Sequence, residues 1–327
     1  MTVLLVGDVR LAGVFSSLPP RSVDNLEVLP PVCGARTADI VKATGIRHRR
    51  LATPGMTGLD YSIHAAERLL AAGGFAPSDF GAIVNVSFTG AERMPCGACR
   101  AQARLGLPND IVALDVNLAC SGYPYGLYLA ATLAKATGRR ALLLDGDVQS
   151  AFLAGDDAAT NPVLADGGSA SVIEGEKGAE PWRFAFASHG AEGNALRLPA
   201  SGTIAMDGYR VFRFAAVEVT AFLREFLAAV ELAPTEVGAF VPHQANVFMV
   251  RELARSLAIP ADRTWISADA IGNLSSASVP VTISRASAGR GTIRNLLLCG
   301  FGGGLSIGAV HLALDDRCIL GSVDHER

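Results

Sequence analysis

Residues 115–122 read Asp-Val-Asn-Leu-Ala-Cys-Ser-Gly, and they join an apolar run to a run rich in small residues. The first run, Ile111–Val116, predicts a buried strand, and the second, Ser121–Ala136, predicts a helix. Cys120 therefore lies at a strand-to-helix turn. Unpaired N–H groups and the dipole at a helix start lower the pKa of a thiol, so Cys120 is a candidate nucleophile. A buried structural cysteine is the alternative.

Three later segments carry the polar groups that such a nucleophile needs. Residues 241–246 read Val-Pro-His-Gln-Ala-Asn, so His243 follows a predicted strand. Residues 272–280 read Gly-Asn-Leu-Ser-Ser-Ala-Ser-Val-Pro, and the amide of Asn273 offers a hydrogen-bond donor. The glycines of residues 300–304 would lie at a strand start, where backbone N–H groups can approach a ligand. A satisfied histidine, a helix cap and an ordinary glycine turn are the alternatives.

Strand and helix patterns alternate along the whole chain, which predicts parallel α/β sheets. The alternation restarts after residues 174–207, so we expect two similar halves, residues 1–174 and 175–327. No role is assigned to residues 315–327. The predicted strands are Thr2–Val6, Ala82–Val86, Ile111–Val116, Ala141–Leu144, Ala170–Ile173, Gly238–Val241, Asn295–Cys299 and Leu305–Leu312. The predicted helices are Tyr61–Ala72, Pro95–Leu105, Ser121–Ala136, Val211–Val230, Val247–Leu257 and Val279–Ala288.

Composition limits the classes of function. The chain has 327 residues, of which 50% are hydrophobic, and this is enough for a large core. A net charge of −3 gives no reason to expect a nucleic-acid partner. No apolar run reaches the roughly 18–20 residues that cross a bilayer, and no signal peptide is indicated. Six cysteines without dense spacing fit a reducing compartment, so we expect a cytoplasmic protein.

The order of the cysteine, histidine, asparagine and glycine segments resembles the β-ketoacyl-acyl-carrier-protein synthase III family. Three more segments are similar to motifs of that family, and the similarity runs from about Leu4 to Leu314. The resemblance implies the thiolase fold, with two pseudo-symmetric α/β halves in a layered αβαβα arrangement, and a homodimer. The three segments are Thr44–Arg47, Asp166–Ala170 and Gly208–Phe212.

The resemblance also implies a two-step reaction, with no metal or cofactor. The Cys120 thiolate takes an acyl group from an acyl thioester, either acyl-CoA or acyl-ACP (acyl carrier protein). His243, as an Nε2–H donor, and Asn273 then stabilise the enolate that forms when a malonyl thioester, expected to be malonyl-ACP, loses CO₂. This enolate attacks the acyl group to give a β-ketoacyl product. The backbone N–H groups of Cys120 and Gly303 would form the oxyanion hole.

Several positions concern the substrates. Family members that use acetyl-CoA hold the adenine between a tryptophan and an arginine, and this chain has Asp39 and Ala158 there. We therefore expect a primer other than ordinary acetyl-CoA. Met94, which would come from the partner subunit, and Phe301 are expected to line the acyl pocket.

Three arginines could dock an acidic carrier protein. Arg213 matches a basic position of the family, and Arg251 and Arg255 are four residues apart on one predicted helix. An ordinary solvated helix face is the alternative for these residues.

Other functions remain open at this point. Cys96 and Cys99 form a Cys-x-x-Cys pair that could be redox-active or bind metal, or could simply pack a helix at a dimer interface. A relative could also transfer the acyl group to a hydroxyl or amine without decarboxylation. A degenerate, non-enzymatic acyl-binding subunit is a third hypothesis, which the intact Cys-His-Asn set argues against.

Overall fold

The computed structural model describes residues 1–200, 202–287, 289 and 291–325, which form two main β-sheets with helices between and outside them. The strands are β1 (Leu4–Val6), β2 (Val9–Leu18), β3 (Ser22–Asp24), β4 (His48–Arg50), β5 (Phe80–Val86), β6 (Val112–Val116), β7 (Arg140–Val148), β8 (Asp166–Gly175), β9 (Trp182–Ser188), β10 (Leu196–Arg197), β11 (Ala205–Met206), β12 (Ala239–Pro242), β13 (Ile293–Gly302), β14 (Ser306–Leu314) and β15 (Ile319–Asp324). The α-helices are α1 (Asn25–Val28), α2 (Pro30–Cys33), α3 (Thr37–Thr44), α4 (Gly58–Gly73), α5 (Gly97–Arg104), α6 (Gly122–Thr137), α7 (Gly208–Phe214), α8 (Thr220–Ala229), α9 (Val247–Ser256), α10 (Ala268–Ile271) and α11 (Ser278–Ala286).

The first sheet has the strand order β15-β2-β8-β7-β5-β6. Strands β7, β5 and β6 are parallel, and helices α5 and α6 make the crossovers that parallel neighbours require. Strand β6 is an edge strand and leads directly into the turn that carries Cys120. The predicted strand-to-helix position of this cysteine is therefore confirmed.

The second sheet has the strand order β1-β9-β14-β13-β12. The first strand of the chain belongs to the second sheet, and the last described strand belongs to the first sheet. Strand β1 pairs with β9 in the second sheet, whereas β15 pairs in parallel with β2 in the first. The predicted division between residues 174 and 175 stays a prediction. The first sheet includes β15 from the C-terminal half, and the second sheet includes β1 from the N-terminal half.

Helices α6 and α11 lie between the sheets, α4 and α5 cover the outside of the first, and α8 and α9 cover the outside of the second. Small side chains let both sheets approach α6, whose Ala130, Ala131 and Ala134 are buried. The predicted αβαβα layering is confirmed. Among the described residues, no helix is both long and apolar enough to span a bilayer.

Most predicted elements occur within a few residues of their expected bounds, and the differences have physical reasons. The predicted helix Val211–Val230 is α7 and α8 joined by a π-helical segment, Ala215–Val219. Helix α11 ends at Ala286, and Ala288, the expected end, lies outside the described residues. Residues 300–304 lie at the end of a strand and not at its start: β13 runs to Gly302, and Gly303 and Gly304 lie in the hairpin turn to β14.

Candidate active site

Cys120 occupies a tight 3₁₀ turn, Ala119–Ser121, between β6 and α6. Cys120 is 8% exposed, and it lines a cavity of about 270 Å³. Ala119 has a φ of +42°, a conformation that non-glycine residues rarely adopt and that persists only when the surroundings impose it. The strained turn presents the thiol to the cavity at the start of the central helix.

The thiol is protonated in this environment. Burial raises the pKa of Cys120 to about 12, although a hydrogen bond from the Ser275 hydroxyl, 3.8 Å from Sγ, lowers it. The expected lowering of the pKa by the helix start is therefore wrong for the free site, because loss of water outweighs it.

His243 follows β12, and its backbone N–H donates to the Cys299 carbonyl at 2.6 Å. Its ring stands edge-on to Phe301, with the ring centroids 5.3 Å apart. Burial lowers the pKa of His243 to about 4, so the imidazole is neutral at pH 7.

Two oxygens lie 3.0 Å from Nδ1 of His243, and they favour different tautomers. The Ser275 carbonyl can only accept, which favours a proton on Nδ1. The Ser278 hydroxyl accepts the backbone N–H of Gln244, so its own proton is available to Nδ1, which leaves the ring proton on Nε2. The expected Nε2–H donor therefore requires Ser278.

The amide of Asn273 is oriented by its own backbone turn. The Ser275 N–H donates to Oδ1 at 2.9 Å, so the NH₂ group is left as the donor. Its nearest acceptor, the Ala245 carbonyl, is a long 3.4 Å away. The backbone of Asn273 is fixed as well, because its carbonyl accepts from Gln149 Nε2 at 2.7 Å. Asn273 thus presents a donor to the cavity, as its residue type predicted.

The glycine loop approaches Cys120 closely. A Cβ on Gly302 would lie 2.6 Å from Cys120 Cβ, and its φ of +150° also disfavours a side chain. Gly303 lines the same cavity, and Ser306 Oγ donates to its carbonyl at 2.8 Å. The loop therefore lies against Cys120, and the oxyanion hole of Cys120 and Gly303 stays a prediction.

The cavity brings together Cys120, His243, Asn273, Gly303 and Phe301. Most of its other lining is apolar, as thioester substrates with acyl groups require. Phe212 and Phe248 stack in its wall, with their ring centroids 6.3 Å apart, and both are partly exposed. The further apolar residues are Phe88, Val163, Leu164, Leu196, Leu198, Ile204, Met206, Val211 and Met249.

Met94 does not line the cavity of its own chain and is 85% exposed. Asp39 is exposed on α3, and Ala158 is half-buried beside Ala159, which lines the cavity. Neither residue offers an aromatic plane or a cation to a nucleobase.

The three arginines predicted to dock a carrier differ in their surroundings. Arg213 and Arg251 are exposed on α7 and α9, and neither has an ion-pair partner within the described ranges. Arg255 lies on α9 too, but it pairs with Glu252 at 2.7 Å.

Cys96 and Cys99 lie at the start of α5 with their Sγ atoms 3.3 Å apart, and both are free thiols. The part of the chain that the structure describes contains no group of three or more His, Cys, Asp or Glu residues suited to hold a metal ion. Neither cysteine lines the cavity of Cys120.

Sequence reasoning did not find Ser275 and Ser278, which hold His243, or Gln149, which holds Asn273. Both serines lie in the segment of residues 272–280, which also contains Asn273. A run of serines before a helix signals capping as readily as side-chain positioning, so composition could not separate the two roles.

Five α/β layers, with a cysteine at the start of the central helix and a histidine and an asparagine facing it, define a thiolase-fold condensing enzyme. The family model described as 3-oxoacyl-[acyl-carrier-protein] synthase III matches residues 114–193, and the model of its C-terminal region matches residues 227–314. The chain belongs to the β-ketoacyl-[acyl-carrier-protein] synthase III family, whose members are acyl-transferring enzymes.

Individual relatives match over nearly the full length. The chain is 33% identical to a β-ketoacyl-[acyl-carrier-protein] synthase III of Rhizorhabdus wittichii, with 91% of this chain and 96% of the relative covered. It is 34% identical to the protein of that name from Sphingopyxis alaskensis, with 92% and 98% covered. Among solved structures, a 3-oxoacyl-(acyl-carrier protein) synthase from Burkholderia xenovorans is 30% identical, covers 99% of both chains and has a TM-score of 0.95.

Proposed function

We propose that this protein catalyses a decarboxylative Claisen condensation between an acyl group on Cys120 and a malonyl thioester. The observation that carries the proposal is the convergence of Cys120, His243 and Asn273 on one apolar cavity. Cys120 takes the acyl group from its thioester, and the leaving thiol takes the proton. The malonyl thioester then loses CO₂, and the resulting enolate carbon attacks the acyl-cysteine carbonyl. This releases the β-ketoacyl thioester and the cysteine thiolate, which takes up a proton from solvent.

The surroundings of Asn273 and His243 support the decarboxylation step. Because Asn273 Oδ1 is already occupied, its NH₂ group is free to donate to the thioester oxygen that becomes negative in the enolate. His243 donates to the same oxygen from Nε2 when Ser278 gives its proton to Nδ1. The backbone N–H groups of Cys120 and Gly303 serve the second oxyanion, which forms when the acyl-cysteine is attacked.

Mass spectrometry after mixing with acyl-CoA and acyl-ACP donors tests the first step. Cys120→Ala should abolish stable acylation, whereas Cys96→Ala and Cys99→Ala should not. Full acylation of the Cys120→Ala protein would show that another residue is the nucleophile.

Release of CO₂ from malonyl-ACP tests the second step. His243→Ala and Asn273→Ala should still become acylated but decarboxylate about 10²–10³-fold more slowly, the usual cost of losing one oxyanion donor. Unchanged decarboxylation in both variants contradicts the assigned roles.

The partners in this proposal are an acyl carrier protein and a second copy of the chain. Arg213 and Arg251 offer unpaired positive charge on the helices whose Phe212 and Phe248 border the cavity, which suits an acidic carrier whose pantetheine arm enters there. The exposed Met94 is free to reach the acyl pocket of a partner subunit.

A further inference from the structure

Asp145 is a carboxyl group buried without a countercharge in the strand beneath the active site. It lies on β7, is 0% exposed, and belongs to none of the ion pairs formed by the described residues. Its Oδ1 accepts a hydrogen bond from the Ser276 hydroxyl at 2.6 Å, and its Oδ2 has no hydrogen-bond partner within the described structure. Burying an isolated carboxylate costs free energy, so the position of Asp145 calls for a structural or functional explanation.

The neighbouring Asp147 indicates the charge of Asp145. Burial raises the pKa of Asp147 to about 6, and four hydrogen bonds to its Oδ1, from Ser87 Oγ and from groups of Phe88 and Thr89, oppose that rise. Asp145 has only the Ser276 contact, and burial together with the charge of Asp147 raises its pKa well above the ordinary range. When two neighbouring carboxyl groups differ in this way, the proton resides on the less solvated one.

Ser276 connects Asp145 to the turn that organises the active site. This turn, Ser275–Ala277, includes the carbonyl that contacts His243 Nδ1, the N–H that orients Asn273, and the hydroxyl that approaches Cys120 Sγ. Ser275 has a φ of +56°, so the turn is strained and has to be held by its neighbours. The hydrogen bond from Ser276 to Asp145 joins this turn to β7 of the first sheet.

We propose that Asp145 is a positioning residue, which as a neutral carboxylic acid anchors the turn Ser275–Ala277 through Ser276 and so aligns His243 and Asn273 with Cys120. Neutrality matters, because the pKa of the Cys120 thiol is raised first by burial and also by negative charge at Asp145. The protonated acid fixes the turn without adding a charge beneath the nucleophile.

Kinetics of three variants test the positioning role, and this part rests on the proposed condensing activity. Ser276→Ala removes the anchor, so malonyl decarboxylation should fall about 10²-fold, the scale of loss expected when reacting groups are misplaced by about 1 Å. Cys120 acylation should fall much less. Asp145→Asn keeps an acceptor for Ser276 and should stay within about tenfold of the wild type, whereas Asp145→Ala should resemble Ser276→Ala.

Ser284→Ala is the matched control, because it removes another buried serine hydroxyl, which donates to Ser16 Oγ at 2.8 Å away from the cavity. It should lower stability without changing the ratio of acylation to decarboxylation. If Ser276→Ala changes that ratio no more than Ser284→Ala does, the positioning role is wrong.

The charge of Asp145 can be tested without substrate, so the result of this test does not depend on the proposed reaction. Wild-type protein at pH 7 should show an infrared band of a buried carboxylic acid that disappears in Asp145→Asn and shifts in Ser276→Ala. Absence of this band in the wild type would overturn the neutral assignment.

Thermal unfolding at two pH values gives a second readout of the same charge. The folded protein holds this proton above the pH at which the unfolded chain releases it, so the stability that Asp145 contributes is lost as pH rises. The asparagine in Asp145→Asn cannot ionise. The difference in Tm, variant minus wild type, should therefore be larger at pH 8 than at pH 5. An equal difference at both pH values would indicate an ordinary, ionised carboxylate.

Discussion

Ser278 controls the tautomer of His243 in the proposed reaction, and its removal is a sharp test at the scale of one residue. In Ser278→Ala, the Ser275 carbonyl remains as the partner of Nδ1 and holds the ring proton there. Nε2 then has no proton to donate, so malonyl decarboxylation should fall by about 10², as for a lost oxyanion donor. Acylation of Cys120 should be affected much less.

Stopped-flow acylation and CO₂ release, measured on the same preparation, separate the two steps. Ser284→Ala again controls for the loss of a buried hydroxyl. Decarboxylation at the wild-type rate in Ser278→Ala would mean that the Nε2–H tautomer does not depend on this serine.

The convergence of Cys120, His243 and Asn273 on one cavity was predictable, because each belongs to a specific segment that precedes a helix. The sequence did not predict the protonation state of Cys120, since the helix start and the burial of the thiol act in opposite directions and only coordinates reveal the degree of burial. It also gave no sign of Asp145, because an Asp-Gly-Asp run ordinarily indicates a turn, whereas here it continues a buried strand.

At the scale of single elements, β6 leaves one edge of the first sheet open, since it pairs only with β5 among the described strands. Such an edge is a template for pairing with another strand. We expect β6 to pair with its copy in a homodimer, which would bring the loop of Met94 near the partner.

A charge on this edge should weaken the dimer. Val112 is 40% exposed at the start of β6, and Val112→Lys should raise the dimer dissociation constant at least tenfold, or about 1.4 kcal/mol. Sedimentation velocity measures the change. Leu5→Lys is the control, because Leu5 is exposed on β1, the edge strand of the other sheet. Equal effects of both substitutions would place the interface elsewhere.

Strands with a run of β-branched or apolar residues were predictable, whereas β2 and β15 were not. Strand β2 contains Gly13, Ser16 and Ser17, residues that are rare in strands, yet nearly the whole strand is buried. Strand β15 was missed because Ile319–Asp324 is short and follows charged residues. Pairing with a distant strand, rather than local propensity, stabilises both.

At the scale of the whole molecule, two positions outside the lining of the cavity bear on which acyl donor is used. The family resemblance implies an aromatic and a cation at the positions of Asp39 and Ala158, so we expect the loss of contacts worth roughly 0.5–2 kcal/mol each. The dissociation constant for CoA should rise by a decade or more, at about 1.4 kcal/mol per decade. We expect acyl-ACP to be a better donor than the matching acyl-CoA.

Comparison of kcat/KM for one acyl group on both carriers, repeated for several acyl groups, measures this preference. Arg213→Glu and Arg251→Glu should reduce use of acyl-ACP but not of acyl-CoA. Arg68→Glu, at an exposed position of α4, is the control. Acetyl-CoA turnover equal to or better than that of every carrier-bound donor would show that another part of the chain binds CoA.

The exchange of β1 and β15 between the two sheets has a consequence for synthesis on the ribosome. Translation is vectorial, so β2 emerges early while β15, the strand that covers its edge, emerges close to the end of the described chain. Throughout elongation, the nascent first sheet carries an exposed edge, and β1 waits for β9 and the later strands of the second sheet. Completion of the first sheet therefore has to wait until β15 has been synthesised, and until then the edge of β2 is open to pairing with another strand.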